Sequence, residues 1–103
     1  MKYHPPKLIP AQKRRLRIVA QTFNEIKALF TDRSITPVVD LRKLTRAESL
    51  VCRTCDFKTY YLGTLSDSYH CESFYFCPYC GQYYSNNEWY CSAQFFEMQH
   101  HLN

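Results

Sequence analysis

Two short stretches decide the fold: Cys52-Arg53-Thr54-Cys55 and Cys77-Pro78-Tyr79-Cys80-Gly81, with twenty-one residues between the two cysteine pairs. A Cys-x-x-Cys pair can direct both thiolates at one ion, and two such pairs at this separation are typical of a tetrahedral Cys₄ site. The tight turn at each pair needs a residue that tolerates a positive φ directly after the second cysteine. Gly81 meets that need, and Asp56 is a tolerable occupant of the other position. The sequence therefore predicts that Cys52, Cys55, Cys77 and Cys80 bind one metal ion.

The region from about residue 50 to residue 90 resembles the zinc-ribbon group of zinc-binding domains, and Cys77-Pro78-Tyr79-Cys80-Gly81 is the more typical of its two halves. The resemblance implies two cysteine knuckles at one end of a small antiparallel sheet, with one structural Zn²⁺ ion. Zinc ribbons recur in the transcription machinery, which is an analogy at the level of the fold alone. An iron site of the rubredoxin kind is the rival interpretation, because a Cys₄ tetrahedron also suits iron. That family normally has glycine where this chain has Asp56, which favours zinc.

Six cysteines in a chain of 103 residues would also suit a disulfide framework in a small secreted domain. The chain begins Met1-Lys2-Tyr3-His4-Pro5-Pro6 without an apolar signal segment, and the paired spacing of the cysteines favours metal. Free thiols beside a zinc site predict a reducing compartment, the cytoplasm or the nucleus. The sequence has no run of eighteen apolar residues and therefore predicts no membrane span.

Charged and aromatic residues are unevenly distributed along the chain. Residues 1–50 carry eleven Lys and Arg residues against four acids, a net charge of +7, whereas residues 51–103 carry two against five, a net charge of −3. Fourteen of the seventeen aromatic residues lie beyond residue 50. This asymmetry predicts a basic helical segment over residues 1–50 and a zinc ribbon with a C-terminal helix over residues 51–103.

An apolar stripe predicts an α-helix from Ala11 to about Phe30. Its members recur at three- and four-residue steps: Leu16, Val19, Ala20, Phe23, Ile26 and Phe30. The first turns carry Lys13, Arg14, Arg15 and Arg17, although cations at a helix N-terminus oppose its dipole. Because this cluster does not stabilise the helix, it favours a binding role.

A second basic group precedes the first cysteine pair. The stretch Thr45-Arg46-Ala47-Glu48 fits a capping box and predicts a short helix leading into this pair, with Arg42, Lys43 and Arg46 exposed. Together with Lys13, Arg14, Arg15 and Arg17, these residues are the candidate contacts to the phosphates of DNA or RNA. The alternative interpretation of such a charge run is a solvated surface that keeps a small protein soluble.

The remainder of the chain predicts a small sheet followed by a helix. Residues 57–62 and 69–76 read as antiparallel strands joined by a turn at 63–68, and residues 82–84 add a third strand. The stretch from Asn86 to His101 predicts a C-terminal helix, and an Asn86-Asn87 hairpin turn is the alternative. The predicted fold class is α+β: an N-terminal helical part, an antiparallel Cys₄ zinc ribbon and a C-terminal helix.

Two cysteines and several histidines lie outside the cysteine pairs. We expect Cys71 and Cys91 to be small buried hydrophobic residues, because free cysteine is commonly buried. A second metal site formed by His70, Cys71, Cys91 and His100 or His101 stays open as an alternative, although its spacing matches no known ligand pattern.

The aromatic residues must supply both a core and a surface. We expect most of Phe57, Tyr61, Phe74, Phe76, Trp89 and Phe96 to be core residues. The seven other tyrosines beyond residue 50 cannot all be buried: Tyr60, Tyr69, Tyr75, Tyr79, Tyr83, Tyr84 and Tyr90. Exposed tyrosines over an acidic surface favour a protein-binding face, although most of these rings are expected to pack flat with their hydroxyl groups in water.

The sequence favours a binding function over catalysis. Four cysteines close the shell of a zinc ion, whereas a catalytic zinc keeps an open position. The chain has no glycine-rich phosphate loop and no recognised catalytic motif, so we expect neither an enzyme nor a small-molecule substrate.

The leading hypothesis is a small zinc-binding regulatory factor associated with nucleic acid or the transcription machinery. Its basic helix would contact phosphates, and its ribbon would dock a protein. The alternative is a zinc-dependent protein-binding adaptor or inhibitor with no nucleic-acid role, and an iron–Cys₄ electron carrier is a third interpretation.

Overall fold

The structure of the protein, a computed structural model, describes residues 5–31, 39–66, 69 and 71–93. One α-helix, α1 (Pro10–Thr31), precedes a single 3₁₀ turn at Leu41–Lys43. Five strands follow: β1 (Arg46–Val51), β2 (Lys58–Ser66), β3 (Cys71–Phe76), β4 (Gln82–Ser85) and β5 (Glu88–Cys91). They form one antiparallel sheet in the order β1-β2-β3-β4-β5, so each strand pairs with its neighbours in sequence.

The helix confirms the predicted apolar stripe. Five of its six members are at most 3% exposed: Leu16, Val19, Ala20, Phe23 and Ile26. The side chain of Phe30, the sixth member, lies outside the described residues. Pro10 occupies the first helical position, where its missing N–H is not needed.

One face of the sheet packs against α1 and forms the core. Leu65, Phe74, Phe76 and Tyr83 join the helix stripe in one buried cluster. Phe23 of the helix and Phe74 of β3 meet with their ring centroids 5.4 Å apart. Because side chains alternate between the two faces of a strand, the neighbouring residues of β3 and β4 lie on the face opposite the helix.

Gly63 interrupts β2 at the point of closest approach to the helix. The pairing of β2 with β3 shifts register between Tyr61 and Gly63, and Gly63 has a φ of 140°. A Cβ atom at this position would lie 2.7 Å from Cε1 of Phe23. The sequence predicted a turn from Gly63 onward, but β2 continues to Ser66, so this prediction is wrong. The glycine instead permits a bulge and close packing.

The predicted fold class is wrong in its C-terminal helix. Residues 82–91 form a β4–β5 hairpin, and the described residues show one N-terminal helix with a five-stranded sheet. The hairpin turns at Asn86 and Asn87, whose φ values are 50° and 65°. Positive φ at both central residues suits a tight hairpin turn, and asparagine tolerates this conformation. Residues 94–103, which the predicted helix also included, lie outside the described residues.

The short helix predicted from Thr45 is also wrong, because residues 46–51 form β1. Arg46 pairs with Tyr60 of β2, and the N–H of Tyr61 donates to the carbonyl of Thr45 at 2.9 Å. A capping-box pattern is a local signal, and pairing with a neighbouring strand overrides it here.

Candidate metal centre

The two cysteine pairs form knuckles with the same backbone hydrogen bonds. In the first, the N–H of Asp56 donates to Cys52 O at 3.0 Å, and the N–H of Cys52 donates to Phe57 O at 2.9 Å. In the second, the N–H of Gly81 donates to Cys77 O and the N–H of Cys77 donates to Gln82 O, both at 2.9 Å. Each knuckle therefore closes on itself before the next strand begins.

The residue after each second cysteine has the left-handed backbone conformation that the sequence predicted. The φ of Asp56 is 63° and that of Gly81 is 83°. Asp56 therefore gives the first knuckle the same local shape that Gly81 gives the second. For this reason, the presence of Asp56 where rubredoxin-like proteins normally have glycine does not distinguish a zinc site from an iron site.

The sheet brings the two knuckles together. The first knuckle joins the end of β1 to the start of β2, and the second joins the end of β3 to the start of β4. Tyr60 near the start of β2 pairs with Phe76 at the end of β3, so both knuckles lie at the same end of the sheet. This arrangement agrees with what the zinc-ribbon resemblance implies.

The four sulfur atoms are close enough to hold one metal ion. The Sγ atoms of Cys52, Cys55, Cys77 and Cys80 all lie within 4.8 Å of one another. Those of Cys52 and Cys80 are 3.5 Å apart. A regular tetrahedron with metal–sulfur bonds of about 2.3 Å has edges of about 3.8 Å, so the cluster has the size of a Cys₄ site. A disulfide would need about 2.0 Å between two sulfur atoms.

Burial differs within each pair. Cys52 and Cys77, the first cysteines, are fully buried, whereas Cys55 and Cys80 are half-buried. A cluster of thiols fits a metal that prefers sulfur ligands. Because Cys55 and Cys80 are only half-buried, one side of the site lies near solvent.

The protein environment shifts the pKa values of three thiols. Burial and, next in size, a hydrogen bond with Cys80 together raise the pKa of Cys55 to about 11. Burial likewise raises the pKa of Cys77, against the opposing effect of backbone N–H groups of Cys80 and Tyr79. At Cys52, burial acts in the same direction, but the N–H groups of Cys55 and Thr54 outweigh it and lower the pKa. These N–H groups can share the negative charge of a metal-bound thiolate.

Cys71 and Cys91 do not belong to the cluster. Both are exposed, so the prediction that they are small buried residues is wrong. Cys71 begins β3 and Cys91 ends β5, where neither side chain faces the helix. The histidines of the alternative second site, His70, His100 and His101, lie outside the described residues.

Two of the predicted nucleic-acid contacts also form hydrogen bonds within the protein. Nη1 of Arg15 donates to Pro78 O of the second knuckle at 3.0 Å and so connects α1 to the cysteine cluster. Arg46 is half-buried and donates to Lys58 O at 2.7 Å and to the hydroxyl of Tyr79 at 2.9 Å. Its guanidinium also lies 4.4 Å above the ring centroid of Tyr60.

Arg15 is exposed despite its bond to Pro78, and the five remaining predicted contacts also lie at the surface. Lys13, Arg14 and Arg17 are exposed on α1, and Lys43 is exposed in the 3₁₀ turn. The side chain of Arg42 is 91% exposed but forms an ion pair with Asp40, with Nε 3.1 Å from Oδ1. These hydrogen bonds from Arg42 lower the pKa of Asp40.

A row of aromatic rings crosses the face of the sheet opposite α1. Tyr61, Tyr75, Tyr84 and Trp89 are register partners on β2, β3, β4 and β5. The successive ring centroids lie 5.4, 6.3 and 5.0 Å apart. Tyr61 and Trp89, two of the six aromatic residues that were expected mostly to form the core, belong instead to this outer row. Of the seven tyrosines that were not all expected to be buried, Tyr83 is buried against the helix.

Sequence reasoning missed the side chains that join the knuckles to the rest of the molecule. Gln82 accepts from Nε of Arg53 at 3.0 Å and donates to the hydroxyl of Thr54 at 2.8 Å. This link ties the first knuckle to the strand that follows the second. No spacing in the sequence signals it, because the two partners are 28 or more residues from Gln82.

In the described part of the chain, no helix has the length and apolar character needed to cross a membrane. Comparison of the sequence with protein-family models, with curated proteins and with solved structures gives no match.

Proposed function

We propose that the four cysteines hold one structural zinc ion and that the domain they stabilise is a nucleic-acid-associated regulatory factor. The donor set and the size of the cluster fit a zinc ion with four thiolate ligands. Such an ion would supply folding free energy by joining the two knuckles. A complete shell of four cysteines leaves no position for substrate, which supports a binding role in place of catalysis.

The exposed cations of α1 carry the nucleic-acid proposal. Lys13, Arg14 and Arg17 lie in its first two turns, and no acidic side chain of the described residues forms an ion pair with them. Their charges oppose the helix dipole, so an anion bound at this end would interact favourably with both. A backbone of phosphates is the extended anion that this arrangement fits best.

Titration of labelled duplex DNA, single-stranded DNA and RNA at two salt concentrations tests this proposal. We expect binding to all three without sequence preference, and a steep loss of affinity with salt. Arg14→Gln and Arg17→Gln should each reduce the salt slope by about 0.7 to 0.9, which is the effect of one lost phosphate contact. Arg15 is left unchanged, because its bond to Pro78 holds the metal centre in place.

Lys27→Gln is the matched control for these variants. It removes the same charge from an exposed position in the second half of the same helix. If Lys27→Gln weakens binding as much as Arg17→Gln, binding depends on net charge and the proposed surface is wrong. If none of the three polymers binds at low salt, the nucleic-acid proposal fails altogether.

We also propose that the sheet docks a partner protein, and the aromatic row supports this. Aromatic residues are enriched in protein interfaces, and Tyr61, Tyr75, Tyr84 and Trp89 form a continuous strip. The same observation favours the alternative function, a zinc-dependent adaptor or inhibitor with no nucleic-acid role. A partner that survives nuclease treatment, together with no oligonucleotide binding, would identify the adaptor.

A further inference from the structure

A basic groove lies between the segment that precedes α1 and the sheet. Residues 5–8 and Lys13 of α1 line it from the N-terminal part of the chain, and Arg46 and Tyr60 line it from the sheet; these two sets are called its walls. Its volume of about 410 Å³ falls in the range of small-ligand sites, roughly 300 to 1,000 Å³. Such a groove can admit one nucleotide unit of an extended strand.

The charge of the groove selects an anion. Lys7, Lys13 and Arg46 line it, and no acidic residue is among the described residues that do so. Lys7 precedes the helix and is not part of the cationic cluster of α1. Lys7 and Arg46 therefore extend the basic surface beyond the helix, and Arg46 contacts Tyr79 of the second knuckle.

Arg46 is held in a fixed orientation inside this groove. Its Nη1 donates to Lys58 O and its Nη2 donates to the hydroxyl of Tyr79. The guanidinium carbon lies 4.4 Å from the ring centroid of Tyr60. A guanidinium has five N–H donors, so donors remain after these two bonds. A fixed, partly used guanidinium is well suited to bind a phosphate oxygen, because little side-chain entropy is lost on binding.

Tyr79 connects the groove to the metal centre. Its hydroxyl accepts from Nη2 of Arg46 at 2.9 Å and donates to Pro6 O at 2.6 Å, so one oxygen joins both walls. Tyr79 lies between Cys77 and Cys80, and its ring packs 4.9 Å from that of Phe57, which follows the first knuckle. The position of this hydroxyl therefore depends on both knuckles.

We propose that this groove binds a phosphate group of the nucleic-acid backbone and that the two metal-bearing knuckles assemble it through Tyr79. The inference rests on the proposed nucleic-acid function and assigns it a site beyond the helix surface. Lys7, Lys13 and Arg46 provide the positive charge, and Tyr79 sets the distance between the walls.

Tyr79→Phe is the most specific test, because it removes the shared hydroxyl and keeps the ring that packs on Phe57. We expect it to weaken oligonucleotide binding about tenfold, the order of effect of losing charge-assisted hydrogen bonds that position Arg46. Tyr90→Phe is the matched control, since it removes a hydroxyl that donates to Glu88 of the same strand, β5, and that neither lines the groove nor belongs to the aromatic row. The control should bind like the unchanged protein.

Lys7→Gln gives a second, independent measurement. It should reduce the salt slope by about 0.7 to 0.9 without affecting the knuckles, because Lys7 lies on the other wall. The metal content and the thermal unfolding midpoint of each variant are measured alongside. Unchanged metal content in Tyr79→Phe shows that weaker binding arises in the groove and not from loss of the metal.

The outcomes separate this inference from the proposed function. If Arg17→Gln weakens binding while Tyr79→Phe and Lys7→Gln bind like the unchanged protein, the groove is not a phosphate site but the proposed function stands. If the unchanged protein binds no oligonucleotide, both are wrong. Free inorganic phosphate is the other possible source of the anion, and its binding is measured at matched ionic strength. If inorganic phosphate binds at millimolar concentration and Tyr79→Phe abolishes that binding but leaves the oligonucleotide affinity unchanged, the groove is a site for free phosphate and the assignment to the backbone is wrong.

Discussion

Replacement of Gly63 by alanine tests the packing of the helix on the sheet. A φ of 140° is a conformation that only glycine adopts readily, so any other residue costs about 1 to 3 kcal/mol there. The new methyl group would lie 2.7 Å from Cε1 of Phe23, and relief of that clash costs a further 1 to 3 kcal/mol or so. We therefore expect Gly63→Ala to lower the free energy of unfolding by roughly 2 to 6 kcal/mol, against a total of about 5 to 15 for a typical domain.

Thermal unfolding of the metal-loaded protein, followed by circular dichroism, measures this effect. A loss of 2 kcal/mol corresponds to a fall in Tm of roughly 8 °C or more in a domain of this size. The double variant Phe23→Leu/Gly63→Ala separates the two causes, because a smaller side chain removes the clash and leaves the backbone strain. We expect the double variant to be more stable than the sum of the single changes by about 1 kcal/mol or more.

Two results would refute this reasoning. If the free energy of unfolding of Gly63→Ala lies within about 0.5 kcal/mol of that of the unchanged protein, neither strain nor clash acts at this position. If the effects of Phe23→Leu and Gly63→Ala simply add, the contact between helix and bulge is not the cause of the loss.

Two further predictions concern the metal centre. Zinc binding at neutral pH should release protons, because the metal-free cluster holds protons that the thiolate-bound cluster does not, and the pKa of Cys55 is about 11. Zinc affinity should therefore rise with pH toward 11 and fall as pH falls. Titration in weak buffer with a pH indicator measures the released protons, and no proton release at pH 7 would contradict the prediction. Replacing Cys71 and Cys91 with alanine should leave the metal stoichiometry unchanged and alter stability by about 0.5 kcal/mol or less, since both are exposed. Elemental analysis checks this, and loss of metal from the double variant would mean that the ligand set includes one of them.

The sequence predicted those parts of the structure that are determined by local pattern. The stripe from Leu16 to Ile26 has one period over several turns, so its buried face could be identified without knowledge of the partner. The positive φ at Asp56 and Gly81 follows from the need of each knuckle for a tight turn. Both features depend on residues that are close together in the chain.

The remaining features depend on contacts between distant residues. At Asn86-Asn87, helix capping and hairpin formation make similar local demands, and pairing of Tyr84 with Trp89 decides between them. Arg46 illustrates the same point for a candidate site residue. Its charge suggested a surface contact, but Tyr79, thirty-three residues away, and Tyr60 place it in a half-buried groove. Charge alone does not reveal such partners.

The most direct test of the account is the metal content of the purified protein, measured by native mass spectrometry with elemental analysis. We predict one zinc ion per chain, bound by Cys52, Cys55, Cys77 and Cys80, and none bound by Cys77→Ser. Removal of the ion should also abolish the near-UV circular dichroism of the region from Cys52 to Tyr84, because the metal joins its two knuckles. A red protein that contains iron, or a protein that keeps its near-UV signal after complete metal removal, would contradict the claim of a structural zinc site.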